Sequence, residues 1–382
     1  GFGEGKFITL TGIAMTCYLA PSVPKIYPNR TSGYNVLIIN SSTSFTSIVK
    51  VLVTGTGSLL LGGIASELLR RGDEVVCLQR RPAAFVGHQN ANEVLADICD
   101  AEAVALAATG CDAIIHGAAR VGVVGSQKEF YDTNVHGTEN ILRAAEQHSI
   151  SRLVFVSTPS VAHTGSSLIG APAGVAEIGR SRSYYAESKA IAERAVLNAR
   201  NEHLAVVAIR PHLVWGPGDT QLVGRIVERA ASGRLAFIGT GNALVDSTYI
   251  DNAISAHIAA LDALHIGSAC DGKAYVVSNG EPRTVNELMR SMCESAGVPF
   301  EPRHVSLAMG IRLGSLIERL WPLMRSSEPP LTRFIAEQLG TAHWFDQRAV
   351  QEDLGWTPQV SLDEGFQRLT QWFASHCPDY TL

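Results

Sequence analysis

Tyr185 and Lys189 stand four positions apart in the run SYYAESKA (183–190), so on a helix they share one face. A free phenol, with a pKa near ~10, exchanges protons poorly at neutral pH. A neighbouring ammonium favours the phenolate and lowers that value. The same lysine can hydrogen-bond a ribose and hold a dinucleotide beside the phenol, and a proton donor next to a hydride carrier is what carbonyl reduction requires. The plainer reading is two residues decorating a helix; Tyr184, out of register with the lysine, is read as packing. A third group is expected at the carbonyl oxygen. The run FVSTPSVAH (155–163) leaves a strand toward that place, and Thr158 can donate a hydroxyl hydrogen bond there, with Ser157 and Ser160 as fallbacks. His163 and His212 are candidates to meet a substrate carboxylate, although loop histidines are commonly satisfied within the fold.

These groups need elements to carry them, and from residue 50 strand and helix patterns alternate. Strands are expected at KVLVTG (50–55), EVVCLQ (74–79), CDAIIHGAA (111–119), RLVFVST (152–158), LAVVAIRP (204–211) and KAYVVS (273–278). Helices are expected at IASELLRRG (64–72), near 100–109, at TENILRAAEQH (138–148) and through the Tyr185–Lys189 segment. This alternation predicts an α/β, Rossmann-type doubly wound parallel sheet over 50–210, rejoined by the strand near 273–278. Residues 211–382 are expected to form a smaller, mostly helical, mainly substrate-binding domain.

The glycine-rich VTGTGSLLLGG (53–63) follows the first strand and opens the first helix, where a dinucleotide turn needs a tight bend and close approach to pyrophosphate. Gly55, Gly57, Ser58, Leu59 and Leu60 are the cofactor candidates there. The second strand ends in Gln79, Arg80 and Arg81 where an NAD site usually places an acid; two guanidiniums suit a 2′-phosphate. NADP(H) is therefore expected, with NAD(H) as the alternative. ADICD (96–100) brings Asp97 and Ile98 toward the adenine.

The chain has 382 residues, 46% hydrophobic, 18% charged, with 35 glycines and net charge −5. That suits a large packed core and offers no pull toward nucleic acid. Seven cysteines without a C-x-x-C argue against a disulfide framework or a zinc site, so a cytoplasmic setting is the default and no metal is expected. Residues 1–49 read as an atypical N-terminal extension, foreign to the rest and not native on one reading, with Val49 as the natural start. The apolar helix 306–325, broken at Pro322, has two readings: core packing, or a lid touching a membrane surface or a multienzyme complex. Trp215, Trp321 and Trp344 are candidates to line a hydrophobic substrate pocket beside it.

Together VTGTGSLLLGG, IIHGAA (114–119), DTNVHGTEN (132–140), YAESK (185–189), RPHLVWGPGD (210–219), VDSTYIDNA (245–253) and LGWTPQVSLDEG (354–365) resemble the extended short-chain dehydrogenases/reductases. The 3β-hydroxysteroid dehydrogenase-like branch is nearest. LQRRP (78–82) and SEPPLTRFIAEQLGTAHWFD (327–346) are similar to the bacterial 2-alkyl-3-oxoalkanoate reductases of long-chain olefin biosynthesis. The resemblance implies an NADPH-dependent reductase of a hydrophobic β-keto acid, working as a homodimer. It implies catalytic roles for Thr158, Tyr185 and Lys189, and a proton relay or helix-holding role for Asn134. Ala118, Ala119, Pro211 and Val214 are implied to line the cofactor. A 3-hydroxysteroid dehydrogenase, a nucleotide-sugar epimerase or dehydratase, and a non-catalytic dinucleotide sensor are the alternatives. One departure stands out. The family turn has glycine at its seventh place, where this chain has Leu61, which should push helix and strand apart unless the turn rearranges so that Gly62 takes that place.

Overall fold

In the computed structural model, residues 48–82, 88–122, 125–162, 166–179, 183–320 and 340–376 are described. The extension 1–47, His163 and the end of the 306–325 stretch with Trp321 lie outside them. The apolar run β1 (Lys50–Thr54) is fully buried from Val51 to Thr54, as a strand covered by helices on both faces must be. The alternation continues through α1 (Leu59–Arg70), β2 (Glu74–Gln79), β3 (Ala91–Leu95), α2 (Ala101–Ala108) and β4 (Ala113–His116). Then come α3 (Gln127–Tyr131), one π-helical turn (Asp132–His136), α4 (Gly137–Gln147), β5 (Arg152–Val156), β6 (Leu168–Ala171), α5 (Tyr184–Asn198) and β7 (Ala205–Pro211). Beyond Pro211 the elements shorten: β8 (Val214–Trp215), α6 (Val223–Ala231), β9 (Ala236–Ile238), β10 (Leu244–Val245) and β11 (Thr248–Tyr249). After α7 (Ile250–Ala263) and β12 (Lys273–Val277) follow β13 (Arg283–Thr284), α8 (Val285–Ser295), β14 (Arg303–Val305), α9 (Leu307–Leu320) and β15 (His343–Phe345). Helices Arg348–Leu354 and Leu362–His376 close the described chain.

Seven strands form one parallel sheet in the order β12-β7-β5-β4-β1-β2-β3. The order reverses between β1 and β4, and the strand C-termini at such a reversal are the place where sheets of this kind hold ligands. The register sets Thr54 beside His116 across that reversal. One face buries Ile64, Leu68, Ala256 and Leu261 from α1 and α7; the other buries Val104, Ile141, Ala144 and Val196 from α2, α4 and α5. β12 returns to the sheet edge beside β7 as expected from its sequence. The edge strand β3 and a four-stranded sheet, β13-β10-β15-β6, go beyond the sequence expectations. Around the latter lies a second core of Trp215, Tyr249, Leu288, Met292, Leu362 and Phe366. β6, drawn from between β5 and α5, pairs with β15 near the chain's end.

Cys77, Cys111, Cys270 and Cys293 are buried free thiols, and Cys99 is exposed. Among the described residues no helix is long and apolar enough to cross a membrane.

Candidate active site

Gly55 makes the turn possible. Its φ of +86° favours glycine, and a Cβ there would lie 2.9 Å from the Ala118 Cα. Ser58 then caps α1: its hydroxyl donates to the Gly55 carbonyl at 3.0 Å and accepts from the Leu61 N–H at 3.3 Å. Gly57, Ser58 and Leu59 are exposed at the start of this helix, whose first turn carries no acidic residue. A cradle filled by any side chain at Gly55, followed by an uncrowded helix N-terminus, fits a dinucleotide pyrophosphate. Leu60 is half-buried between the two cores.

The structure corrects the expectation for Leu61. Leu61 is 4% exposed and its isobutyl group sits on Gly117, so the leucine is accommodated between helix and sheet. A Cβ on Gly117 would be 2.7 Å from Cγ, Cδ1 and Cδ2 of Leu61. The glycine that gives helix and sheet their close approach has moved from the turn to the loop that follows β4.

At the end of β2, Gln79 is 6% exposed and its amide is engaged: Oε1 accepts from the Thr56 hydroxyl at 2.6 Å and Nε2 donates to Glu93 of β3 at 2.5 Å. Arg80 and Arg81 are exposed, with Arg80 Nη1 3.8 Å from Asp97 Oδ2, a surface pair of little energetic weight. Asp97 accepts from the Cys99 N–H at 3.0 Å. Ile98 packs its side chain against Gly137 in the core, and its carbonyl accepts from the Asn140 amide at 2.8 Å. Ala118 and Ala119 are half-buried after β4.

α5 presents the chemistry. Ser183 caps it by accepting from the Ala186 N–H at 3.1 Å, which places Tyr185 in the first turn and Lys189 in the next. The Thr158 hydroxyl lies 3.0 Å from the Ser160 hydroxyl. Burial pushes Tyr185 up to about 12, only partly opposed by the nearby Thr158 hydroxyl. This reverses the direction expected from the lysine. The ammonium instead donates to the Val156 carbonyl at 2.7 Å and rests 3.9 Å above the Phe155 ring. Burial pulls Lys189 down to about 7, against the opposing charge of Glu193 one turn further. Tyr185 is thus held as a protonated phenol, a hydrogen donor, and Lys189 as a cation that is easily discharged.

Asn134 sits in the π-turn and is 1% exposed. Its side chain accepts from the Arg120 N–H at 2.7 Å and donates to the Arg120 carbonyl at 3.1 Å and to Ser188 at 2.9 Å. Ser188 in turn donates to the Tyr185 carbonyl at 2.9 Å. Asn134 therefore pins α5 to the loop after β4. Sequence reading passed over Glu193 and Arg210, a buried bidentate pair at 0% and 1% side-chain exposure. Arg210 Nε donates to Glu193 at 2.8 Å, and Nη1 donates to the carbonyls of Ala173 and Gly174, tying β7, α5 and the segment after β6 together. The signal was present as a glutamate four residues after the lysine and an arginine ending a buried strand.

Trp215 and His212 lie in the core rather than at a pocket wall, whereas Trp344 lines a cavity with Gly170, Asp246, Asn279 and Phe345. Trp215 is 0% exposed, donates to Ser247 at 3.1 Å and stacks on Phe366 at 4.3 Å. It is a core residue, because its indole N–H and both ring faces are used within the second core. His212 is 6% exposed, with its ring 4.8 Å from His343 and 5.3 Å from Phe345. Trp344 covers Gly170, where a Cβ would meet its ring at 3.0 Å. Pro211 and Val214 are half-buried on β7 and β8 at the same end of the sheet.

Comparison with known proteins identifies relatives of most of the chain and of its fold. The chain is 44% identical over 324 residues to a 2-alkyl-3-oxoalkanoate reductase of Stenotrophomonas maltophilia, spanning 84% of this chain and 98% of that one. It is 36% identical to the enzyme of the same name from Shewanella oneidensis, spanning 83% and 84%. The UDP-glucose 4-epimerase of Thermotoga maritima shares the fold, with a TM-score of 0.66 at 21% identity over 85% of this chain and 99% of that one. The 3-beta hydroxysteroid dehydrogenase/isomerase profile matches residues 52–309. With a dinucleotide turn, a protonated phenol and a buried lysine on one helix, the chain belongs to the 3-beta hydroxysteroid dehydrogenase/isomerase family of extended short-chain dehydrogenases/reductases, and is an NAD(P)-dependent oxidoreductase.

Proposed function

We propose that this enzyme reduces a 2-alkyl-3-oxoalkanoate to the 3-hydroxy acid with NADPH. The observation that carries the substrate is the 44% identity to a reductase of that name across 98% of its length. Exposed apolar side chains on the segment leading into α5, Ile169, Val175 and Ile178, suit an alkyl substrate better than a sugar diphosphate. The bound nicotinamide supplies hydride to the carbonyl carbon. Thr158 orients the carbonyl oxygen, and Tyr185 gives its phenolic proton to that oxygen as the C–O bond gains charge. Lys189, in its cationic state, stabilises the phenolate left behind. NADPH preference rests on exposed Arg80 and Arg81 beside Gln79, whose amide is already committed to Thr56 and Glu93.

The test follows NADPH absorbance with 2-alkyl-3-oxo acids, ketosteroids and nucleotide sugars side by side. Turnover confined to the keto acids, with a higher kcat/KM for NADPH than for NADH that falls in Arg81→Ala, is expected. Turnover of ketosteroids alone would refute the substrate.

A further inference from the structure

His116, buried at 1% exposure under the cofactor turn, belongs to a hydrogen-bond chain whose direction is fixed throughout. The Thr54 hydroxyl oxygen, itself at 0% exposure, accepts the N–H groups of Gly117 and Ala118 at 3.2 and 3.0 Å. With both lone pairs used, its own hydrogen goes to its remaining partner, His116 Nδ1, at 2.7 Å. At the other end the Thr138 hydroxyl donates to the Asn134 carbonyl at 2.7 Å, so the oxygen of Thr138 accepts from His116 Nε2 at 3.0 Å. Only the neutral imidazole with hydrogen on Nε2 satisfies both ends. The chain runs from the 117–118 amides through Thr54, His116 and Thr138 to Asn134, whose side chain reaches Ser188 on the Tyr185 helix. Burial, together with the Lys189 charge, holds the ring down at about 3, far from protonation at working pH.

We propose that His116 is a positioning residue: as the neutral Nε2–H tautomer it locks the dinucleotide-facing loop at Gly117–Ala118 to the Asn134 turn, and so sets the distance between coenzyme and Tyr185. The inference rests on the oxidoreductase reading but not on the identity of the carbonyl substrate. An imidazolium would lose the Thr54 bond and set a second cation beside Lys189.

Long-range nitrogen–proton correlation spectra of ring-labelled protein, with the His116 signal assigned by its loss in His116→Gln, read the tautomer directly. A pyridine-type Nδ1 and a protonated Nε2, unchanged from pH 8 to pH 5, are expected; a hydrogen on Nδ1, or titration within that range, overturns the proposal. His116→Phe keeps an aromatic ring and removes both bonds. About tenfold weaker NADPH binding by fluorescence titration is expected for it, on the scale of one lost hydrogen bond, with kcat reduced at saturating NADPH and KM for the carbonyl little changed. His116→Gln, which offers one acceptor and one donor, recovers part of both. Equal losses in the two variants, or wild-type NADPH affinity in His116→Phe, refute the positioning role. Wild-type inactivity toward 2-alkyl-3-oxo acids, with turnover of another carbonyl, would refute the substrate reading alone, since the spectra and the binding titration need no substrate.

Discussion

Replacing Gly117 by alanine puts a methyl group 2.7 Å from three carbon atoms of Leu61. Ordinary carbon contacts are about 3.5–4.0 Å, so helix α1 or the loop after β4 must give way by roughly 1 Å. Overpacking of this kind costs about 1–3 kcal/mol. Leu61→Ala, at 4% exposure, leaves a cavity and costs about 2–5 kcal/mol. That truncation removes the same Cγ, Cδ1 and Cδ2 atoms the new methyl would strike, so in its background Gly117→Ala should cost nothing or recover a little by filling space. The double variant is expected to be about 1–3 kcal/mol more stable than the sum of the singles predicts. Urea unfolding midpoints at constant m give all four corners of the cycle. Additivity within about 0.5 kcal/mol, or a Gly117→Ala protein as stable as the parent, would refute the claim that Gly117 is the glycine displaced from the turn.

Tyr185→Phe should lower kcat about 10²–10⁴-fold while NADPH still binds, measured by single-turnover kinetics and fluorescence titration. Lys189 is held at about 7, below its unfolded value, so the folded protein carries fewer protons than the unfolded chain between about pH 7 and the ordinary lysine range. Stability relative to Lys189→Met should therefore rise as pH increases from 7 to 9.5, read from urea midpoints; a flat difference would contradict the buried placement. Arg210→Met leaves Glu193 buried and unpaired and should cost about 3–5 kcal/mol, whereas Arg210→Met with Glu193→Leu should restore most of it. The paired variant should still raise KM, because the carbonyls of Ala173 and Gly174 lose their tether.

The parts of this molecule written in local pattern were legible. β2 ends at Gln79 and α5 carries Tyr185 and Lys189 one turn apart, because a buried β-branched run and a capped helix declare themselves within a few residues. β3 was not: ANEVL is half-exposed at the sheet edge and lacks a continuous apolar run. The two- and three-residue strands β10 and β15 exist only through each other and β6, across long stretches of sequence. Leu61 looked like a defect because its remedy, Gly117, sits far along the sequence in the loop after β4. The acidity of Tyr185 was misjudged for a similar reason: desolvation depends on what covers the ring, and spacing along α5 says nothing about that.

The pairing of β6 with β15 has a consequence for how the enzyme is made. On the ribosome the nucleotide-binding half emerges before β15 and can begin to fold, yet the strand that anchors the segment leading into α5 is supplied by residues made much later. A nascent chain stalled before His343 would carry its tyrosine and lysine without that support. Competence therefore waits for β15, and a truncation that removes it is a loss of function at a distance.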